Sequence, residues 1–360
     1  MNYKFLIYIS YSYALPIGTP LEQEINKRGY TVKWFADIAD GKKAIQEKEN
    51  ALATIQKVIA YKPDVVLTAT DSVADFITGL KVQIFHGFNA QKRPSKKNAF
   101  AHFRLRGFFD LYCTQGPSTT SGFKAQQEKH GYFEVVETGW SKVDPLFPIE
   151  KRESNNTIMI ASTFTESLSL AYNDSVYQEI KRLSTAGIFN FIMVLHPKLP
   201  EAIVSKWKAI NNANFKFFNT TDLIPLYKQA DIMFADTTSA IQEFLLQKKP
   251  VVTFNHTFKH DYLLHVDKAA SLEKTFQEAL SYPEDLIQNI THFLQDLHPY
   301  FDGKSSQRII DASISFLHKD KRDLKPKPLN LIRKYKMRKR LNYFTFKSYN
   351  KAYTLLKTNE

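Results

Sequence analysis

Two α/β domains, each a parallel sheet covered on both faces by helices, are what this sequence predicts, and three observations predict them. Short β-rich apolar runs alternate with helical segments through nearly the whole chain. A length of 360 residues suits two domains of about 150 to 180 residues better than one core. Between two such runs lies 138–148, whose glycine and two prolines mark an interdomain junction. The expected domains are 1–148 and 149–318, followed by a basic tail over 319–360.

In the first half, strands are expected at 4–10, 30–35, 65–69, 82–85, 109–114 and 133–137. The Tyr/Pro/Gly stretch 11–20 reads as a turn, and helices are expected at 21–28, 42–60, 71–80 and from about 122. The strand 82–85 runs into His86-Gly87-Phe88-Asn89. The stretch 89–106, with Lys92, Arg93, Lys96, Lys97, Arg104 and Arg106, reads as a solvated loop. In the second half, strands are expected at 157–161, 189–195, 215–218, 232–235 and 250–254. Helices separate them and continue at 271–281, 283–294 and 305–317, the last expected to pack back across the domain junction.

An apolar content of 43% with 14% aromatics excludes a disordered chain. No apolar run approaches the roughly 20 residues that span a bilayer, and 5–9 is too short for a signal sequence. A cytoplasmic protein is therefore expected. The single cysteine, Cys113, reads as a core residue. Formal net charge is +13, but residues 319–340 alone hold eleven Lys or Arg against two Asp. The body is thus only mildly basic, and no nucleic-acid groove is expected.

Open α/β sheets bind ligands at the carboxyl ends of their strands. Three such edges contain residues suited to chemistry. His86 stands at one, His196 followed by Pro197 at another, and Asp236-Thr237-Thr238-Ser239 at a third with Ser162 and Thr163 beside it. The hydroxyls at 237–239 either cap the following helix or hold a phosphate. Two Rossmann-like domains facing each other would bring the edges across one cleft, which suits a transferase with donor and acceptor in different domains. His256 and His260 have metal-ligand spacing on a helix but lack a third ligand, so no metal is expected.

Taken in order, His86-Gly87 with Lys92, the run Gly139-Trp140-Ser141-Lys142-Val143-Asp144-Pro145-Leu146-Phe147, Ala161-Ser162-Thr163-Phe164, His196-Pro197, and Asp236-Thr237-Thr238-Ser239 with Lys249-Pro250 resemble the CDP-glycerol glycerophosphotransferase family over about 82–255. That family usually has Pro-Arg at Ser141-Lys142 and Asp-Tyr-Ser-Ser at 236–239, so charge and hydroxyl character persist.

The resemblance implies a GT-B-like fold and a transferase that moves a polyol phosphate from a CDP-alcohol to a hydroxyl of a lipid-linked or glycan acceptor. It implies His86 as general base, with His196, Thr238, Ser239 and Lys142 stabilising the diphosphate. Gly87, Asp144, Ser162, Thr163, Pro197, Asp236 and Thr237 would complete the donor site. The CDP-alcohol is then a substrate, and no cofactor is expected. The tail over 319–349 is expected to adsorb to an anionic membrane surface at the inner face of the cytoplasmic membrane. Two other readings stand beside this one. A GT-B glycosyltransferase or nucleotide-sugar epimerase is the first, although an epimerase would be expected to have a Gly-Gly turn and acidic residues at Thr238-Ser239. A non-catalytic two-domain binding protein is the second.

Overall fold

The structure is a computed structural model that describes residues 1–88, 103–150 and 153–355. These form two compact units, the first from 1–87, 103–147 and 297–355, the second from 148–150 and 153–296 with Phe88.

Six parallel strands build the first unit: β1 (Lys4–Ile9), β2 (Thr31–Ala36), β3 (Val65–Thr68), β4 (Leu80–Gln83), β5 (Leu111–Thr114) and β6 (Glu134–Glu137). Their order is β2-β1-β3-β4-β5-β6, with Phe5 paired to both Val32 and Val65. Runs such as Phe5 to Ile9 and Val65 to Thr68 are buried throughout, as strands covered on both faces must be. The chain turns from one side of β1 to the other, so a topological switch point lies between β1 and β3.

The second unit has β7 (Thr157–Ser162), β8 (Asn190–Leu195), β9 (Phe215–Phe218), β10 (Ile232–Ala235), β11 (Val251–Phe254) and β12 (Leu264–Val266), all parallel and ordered β12-β11-β10-β7-β8-β9. Counted from β7 as the first strand, that is the 3-2-1-4-5-6 order of a dinucleotide-binding sheet. Its switch point falls between β7 and β10. Ile160, Phe191, Phe234 and Phe276 form the core against it, with Phe234 and Phe276 edge-on at 5.2 Å.

Several expected elements differ. The turn over 11–20 is largely helix, Leu15–Lys27, because its first proline occupies the opening turn where no N–H is needed. The helix over 42–60 is two short helices, Ala39–Ala44 and Ile55–Tyr61. Between them Asn50 and Leu52 exchange backbone hydrogen bonds with Trp34. The stretch 71–79 is not helical. The junction 138–148 is not a loose linker, since Ser141–Leu146 is a 3-10 helix with Trp140, Val143 and Leu146 in the core of the first unit. The strand β12 has no counterpart among the expected elements.

The last part of the chain requires the largest correction. Helix Ser305–His318, within the range expected for the second domain but expected to pack back across the junction, belongs to the first unit, where Ile309, Ile310, Phe316 and Leu317 are buried. The segment beyond 318 is no separate tail either. Lys327 Nζ lies 2.6 Å from Asp110 Oδ1, and both side chains are almost wholly buried. Arg338 donates to both oxygens of Asp75 at 2.6 and 3.0 Å, and Arg340 pairs with Asp37 at 2.9 Å. Met337 of the helix Leu331–Leu341 enters the core beside Tyr8. Lys327, Lys334, Arg338 and Arg340 therefore compensate buried acids of the first unit.

Replacing Lys327 with Met strands the Asp110 carboxylate in the core, and loss of one partner of a buried pair costs about 3–5 kcal/mol. Urea unfolding of Lys327→Met is expected to show that loss. An unchanged midpoint would contradict it.

Candidate functional site

Each unit presents polar residues at the carboxyl edge of its sheet. In the first unit, β4 ends at Gln83 and the chain reaches His86 through Phe85, whose φ of 57° lies in the left-handed region. For a bulky aromatic residue that conformation is strained, by about 1–3 kcal/mol, and persists only where surroundings impose it. Those surroundings are visible. The Phe85 ring packs on Phe123 at 5.0 Å, and its carbonyl accepts the Trp140 indole N–H at 3.3 Å.

The result is an exposed His86. Its Nδ1 lies 3.3 Å from the Ala69 carbonyl at the end of β3, and its ring lies 5.6 Å from Tyr13, which follows β1. A carbonyl only accepts, so Nδ1 bears the proton and Nε2 presents a lone pair. His86 thus reaches over the switch point of the first sheet in the tautomer of a general base. Beside it, a Cβ on Gly87 would meet no atom of the described residues within 4 Å. The expected Lys92 lies outside the described residues.

The run from Gly139 supports this edge from below. Gly139 has φ of 80°, and a Cβ there would come within 2.4 Å of Ser305 Oγ, so only glycine fits. Trp140 N–H donates to His298 Nε2 at 3.0 Å, and burial pushes the His298 pKa down to about 4, which keeps it a neutral acceptor. Ser141 Oγ donates to the Ile17 carbonyl at 2.8 Å.

Asp144, expected to contact donor, is instead buried and accepts the N–H groups of Ser305 and Ser306 at 2.8 and 2.7 Å. It serves the first turn of helix Ser305–His318, which lacks a side-chain cap of its own. Burial raises its pKa against these hydrogen bonds, which favour the charged form. Lys142 is half-buried, with its ammonium 5.3 Å from the Trp140 ring. Trp140, which the motif run contained without a role, and His298, which motif reasoning passed over, hold the backbone that leads into His86.

In the second unit the switch point between β7 and β10 is closed by Asp236. Its wholly buried carboxylate accepts Ser162 Oγ–H at 2.5 Å, Thr163 N–H at 3.0 Å and Leu170 N–H at 3.0 Å. Ser162 Oγ also lies 2.8 Å from Ser169 Oγ. These bonds tie the loop after β7 to the end of β10, so Asp236 and Ser162 shape the edge and do not face a ligand. Thr163 is buried with them, and Thr237 is buried against Thr257, with hydroxyl oxygens 3.1 Å apart.

Thr238 and Ser239 are half-exposed. Ser239 makes no side-chain cap to helix Ala240–Leu245, while Thr238 Oγ1 accepts the Ala240 N–H at a long 3.4 Å. Capping is therefore a minor use of these hydroxyls.

His196 follows β8 directly, and its ring lies 4.6 Å from that of Phe164 in the loop after β7. Its Nδ1 accepts the Lys198 N–H at 3.1 Å, which puts the ring proton on Nε2. His196 is thus a donor where His86 is an acceptor. Lys198, whose ammonium sits 5.2 Å from the Phe164 ring, joins this edge, and Pro197 beside it is exposed. A hollow of about 210 Å³ opens at the same end of the sheet, lined among others by Ser169, Tyr172, Asn173, Phe254 and Asn255.

A larger hollow of about 630 Å³ lies at the amino ends of β7, β8 and β9, beside Asn155, Asn190, Asn214 and Lys216. Doubly wound sheets do not use that edge for ligands, and we assign it none. His256 and His260 are not on a helix. Among the described residues no group of three or more His, Cys, Asp or Glu is arranged to hold a metal.

No family model and no curated protein matches the chain. Solved structures do. A variant of the wall teichoic acid polymerase TagF soaked with CDPG is 11% identical at a TM-score of 0.60, covering 87% of this chain and 88% of that one. S. aureus MnaA in complex with UDP is 16% identical at 0.60, covering 88% and 97%. UDP-GlcNAc 2-epimerase from Neisseria meningitidis, bound to UDP-GlcNAc, is 16% identical at 0.57, covering 87% and 99%. The chain has the GT-B-like fold of these proteins. At such identities the likeness establishes fold alone.

Asp236→Asn replaces an acceptor of several hydrogen bonds by a group with one acceptor oxygen and an NH₂ facing donors. Hydrogen bonds to charged groups contribute about 1.5–3 kcal/mol each, so a loss of at least that order is expected in denaturant unfolding. Stability equal to the wild type would show that Asp236 does not hold this edge.

Proposed function

We propose that the protein is a phosphotransferase that moves a polyol phosphate from a CDP-alcohol to an acceptor hydroxyl. The observation that carries this reading is His86, exposed on a strained turn with Nδ1 committed to Ala69 and Nε2 presented as a base. In this mechanism Nε2 takes the proton of the acceptor hydroxyl. The oxygen attacks the distal phosphorus of the CDP-alcohol, a new P–O bond forms, and the bond to CMP breaks with its electron pair leaving on CMP.

The second unit holds the nucleotide in this reading. The Nε2–H of His196, the hydroxyls of Thr238 and Ser239, and the ammonium of Lys198 offer donors and charge to the diphosphate at a switch point suited to nucleotides. The structure of TagF soaked with CDPG supports the choice of donor. A lipid-linked or glycan hydroxyl is the proposed acceptor, used at the inner face of the cytoplasmic membrane. Among the described residues no helix is long and apolar enough to cross a membrane.

A nucleotide-sugar enzyme is the second reading, favoured by the fold shared with proteins solved with UDP and UDP-GlcNAc. The two diverge in ligand preference and chemistry. In a thermal-shift panel, CMP and CDP-glycerol are expected to stabilise the protein selectively, and stabilisation by UDP ligands alone would overturn the proposal. CMP release from CDP-glycerol in the presence of acceptor should fall about 10²- to 10⁴-fold in His86→Ala. Full turnover by that variant would remove His86 from the role of base.

A further inference from the structure

The helix Leu331–Leu341 buries a lysine beside a methionine and leaves three large apolar side chains exposed. Residues 324–355 include ten Lys or Arg and no Asp or Glu. Four of these cations, Lys327, Lys334, Arg338 and Arg340, reach acids of the first unit, namely Asp110, Asp75 and Asp37. Lys334 and Met337 form the buried stripe of the helix. The outward face mixes large apolar side chains with Arg333, Lys336 and Lys339. Leu331 is 68% exposed, Ile332 74% and Tyr335 58%, and Phe344 and Phe346 just beyond the helix are exposed as well. The Tyr335 and Phe344 rings lie 6.3 Å apart, which joins helix and following loop into one patch.

Soluble monomers seldom leave such a group of large apolar side chains in water, so the patch calls for a cover. Its chemistry selects the cover. Arg333, Lys336 and Lys339 stand exposed among the apolar residues, and no acid in the segment offsets them. Aromatic and aliphatic side chains ringed by cations suit the boundary between acyl chains and anionic headgroups. A protein partner's groove would have to answer this cationic rim with acids of its own.

We propose that the exposed face of Leu331–Leu341, with Phe344 and Phe346, docks flat on an anionic lipid bilayer. Ile332, Tyr335 and Phe346 enter the headgroup boundary while Lys336 and Lys339 meet lipid phosphates. The ion pairs to the buried carboxylates of Asp75 and Asp37 hold the helix with this face outward. Expected adsorption over 319–349 thus narrows to one face of one helix and its loop. Docking would deliver the proposed transferase to lipid-linked acceptors, but the contact itself does not rest on the enzymatic reading.

Flotation of the full chain with phosphatidylcholine vesicles, with and without phosphatidylglycerol, tests this in the absence of any nucleotide or acceptor. Binding is expected only with phosphatidylglycerol, and to weaken with salt. The double variant Ile332→Asn, Tyr335→Asn removes two anchors and is expected to lower vesicle affinity by about tenfold or more with an unchanged melting temperature. Lys336→Glu, Lys339→Glu should do so through charge alone. Absence of flotation, or equal binding to neutral vesicles, would overturn the proposal. So would a concentration-dependent dimer in sedimentation, lost in the apolar double variant and unaccompanied by vesicle binding, since a second copy would then be the cover. Because CMP release is not measured, these outcomes are independent of whether the enzymatic reading stands.

Discussion

The carboxylate of Asp236 is the interaction on which the second unit's functional edge depends. A 3-2-1-4-5-6 sheet parts its two halves between β7 and β10, and the loops leaving those strands diverge there. Asp236 joins them again with bonds to Ser162, Thr163 and Leu170. A buried charge is tolerated only when its oxygens are satisfied, so the loop after β7 can adopt few other courses. The Phe164 and His196 rings meet at a tilt beside this junction, and Thr238 and Ser239 are left at the rim with little claim from their own helix.

The first unit solves the same problem with different chemistry. Trp140 donates to the Phe85 carbonyl, His298 accepts from Trp140, and Asp144 anchors the helix that lies alongside. Together they hold Phe85 in a conformation it would not adopt alone, and the reward is an exposed His86 whose tautomer is set by Ala69. Polar groups thus work at two depths: a buried layer that fixes strand ends, and an outer layer in which His86, His196, Thr238 and Ser239 are at least partly exposed. The two histidines end in complementary states, one a proton acceptor and one a donor.

Much of this architecture was legible in the sequence, because uninterrupted apolar runs bounded by polar turns determine strands locally. The strands β9 and β10 occupy the expected residues for that reason, and His86 and His196 could be placed at carboxyl edges from chain order alone. What escaped depends on partners distant in sequence. Residues 71–79 have a helical pattern, yet Asp75 is drawn into an ion pair with Arg338, 263 residues away, and the helix does not form. Asp236 and Ser162 have the residue types of a phosphate site, but their partners include backbone N–H groups that no motif displays. The left-handed Phe85 is invisible for the same reason, since nothing in Ile84-Phe85-His86 announces the indole that imposes it.

The central claim is that nucleotide occupies the carboxyl edge of the second sheet, above the Asp236 junction. A crystal structure of the full chain with bound CMP tests it most directly. The account predicts the nucleotide phosphate within hydrogen-bonding reach of Thr238, Ser239 and His196. Density instead in the hollow at the opposite edge, beside Asn155, Asn214 and Lys216, would contradict it.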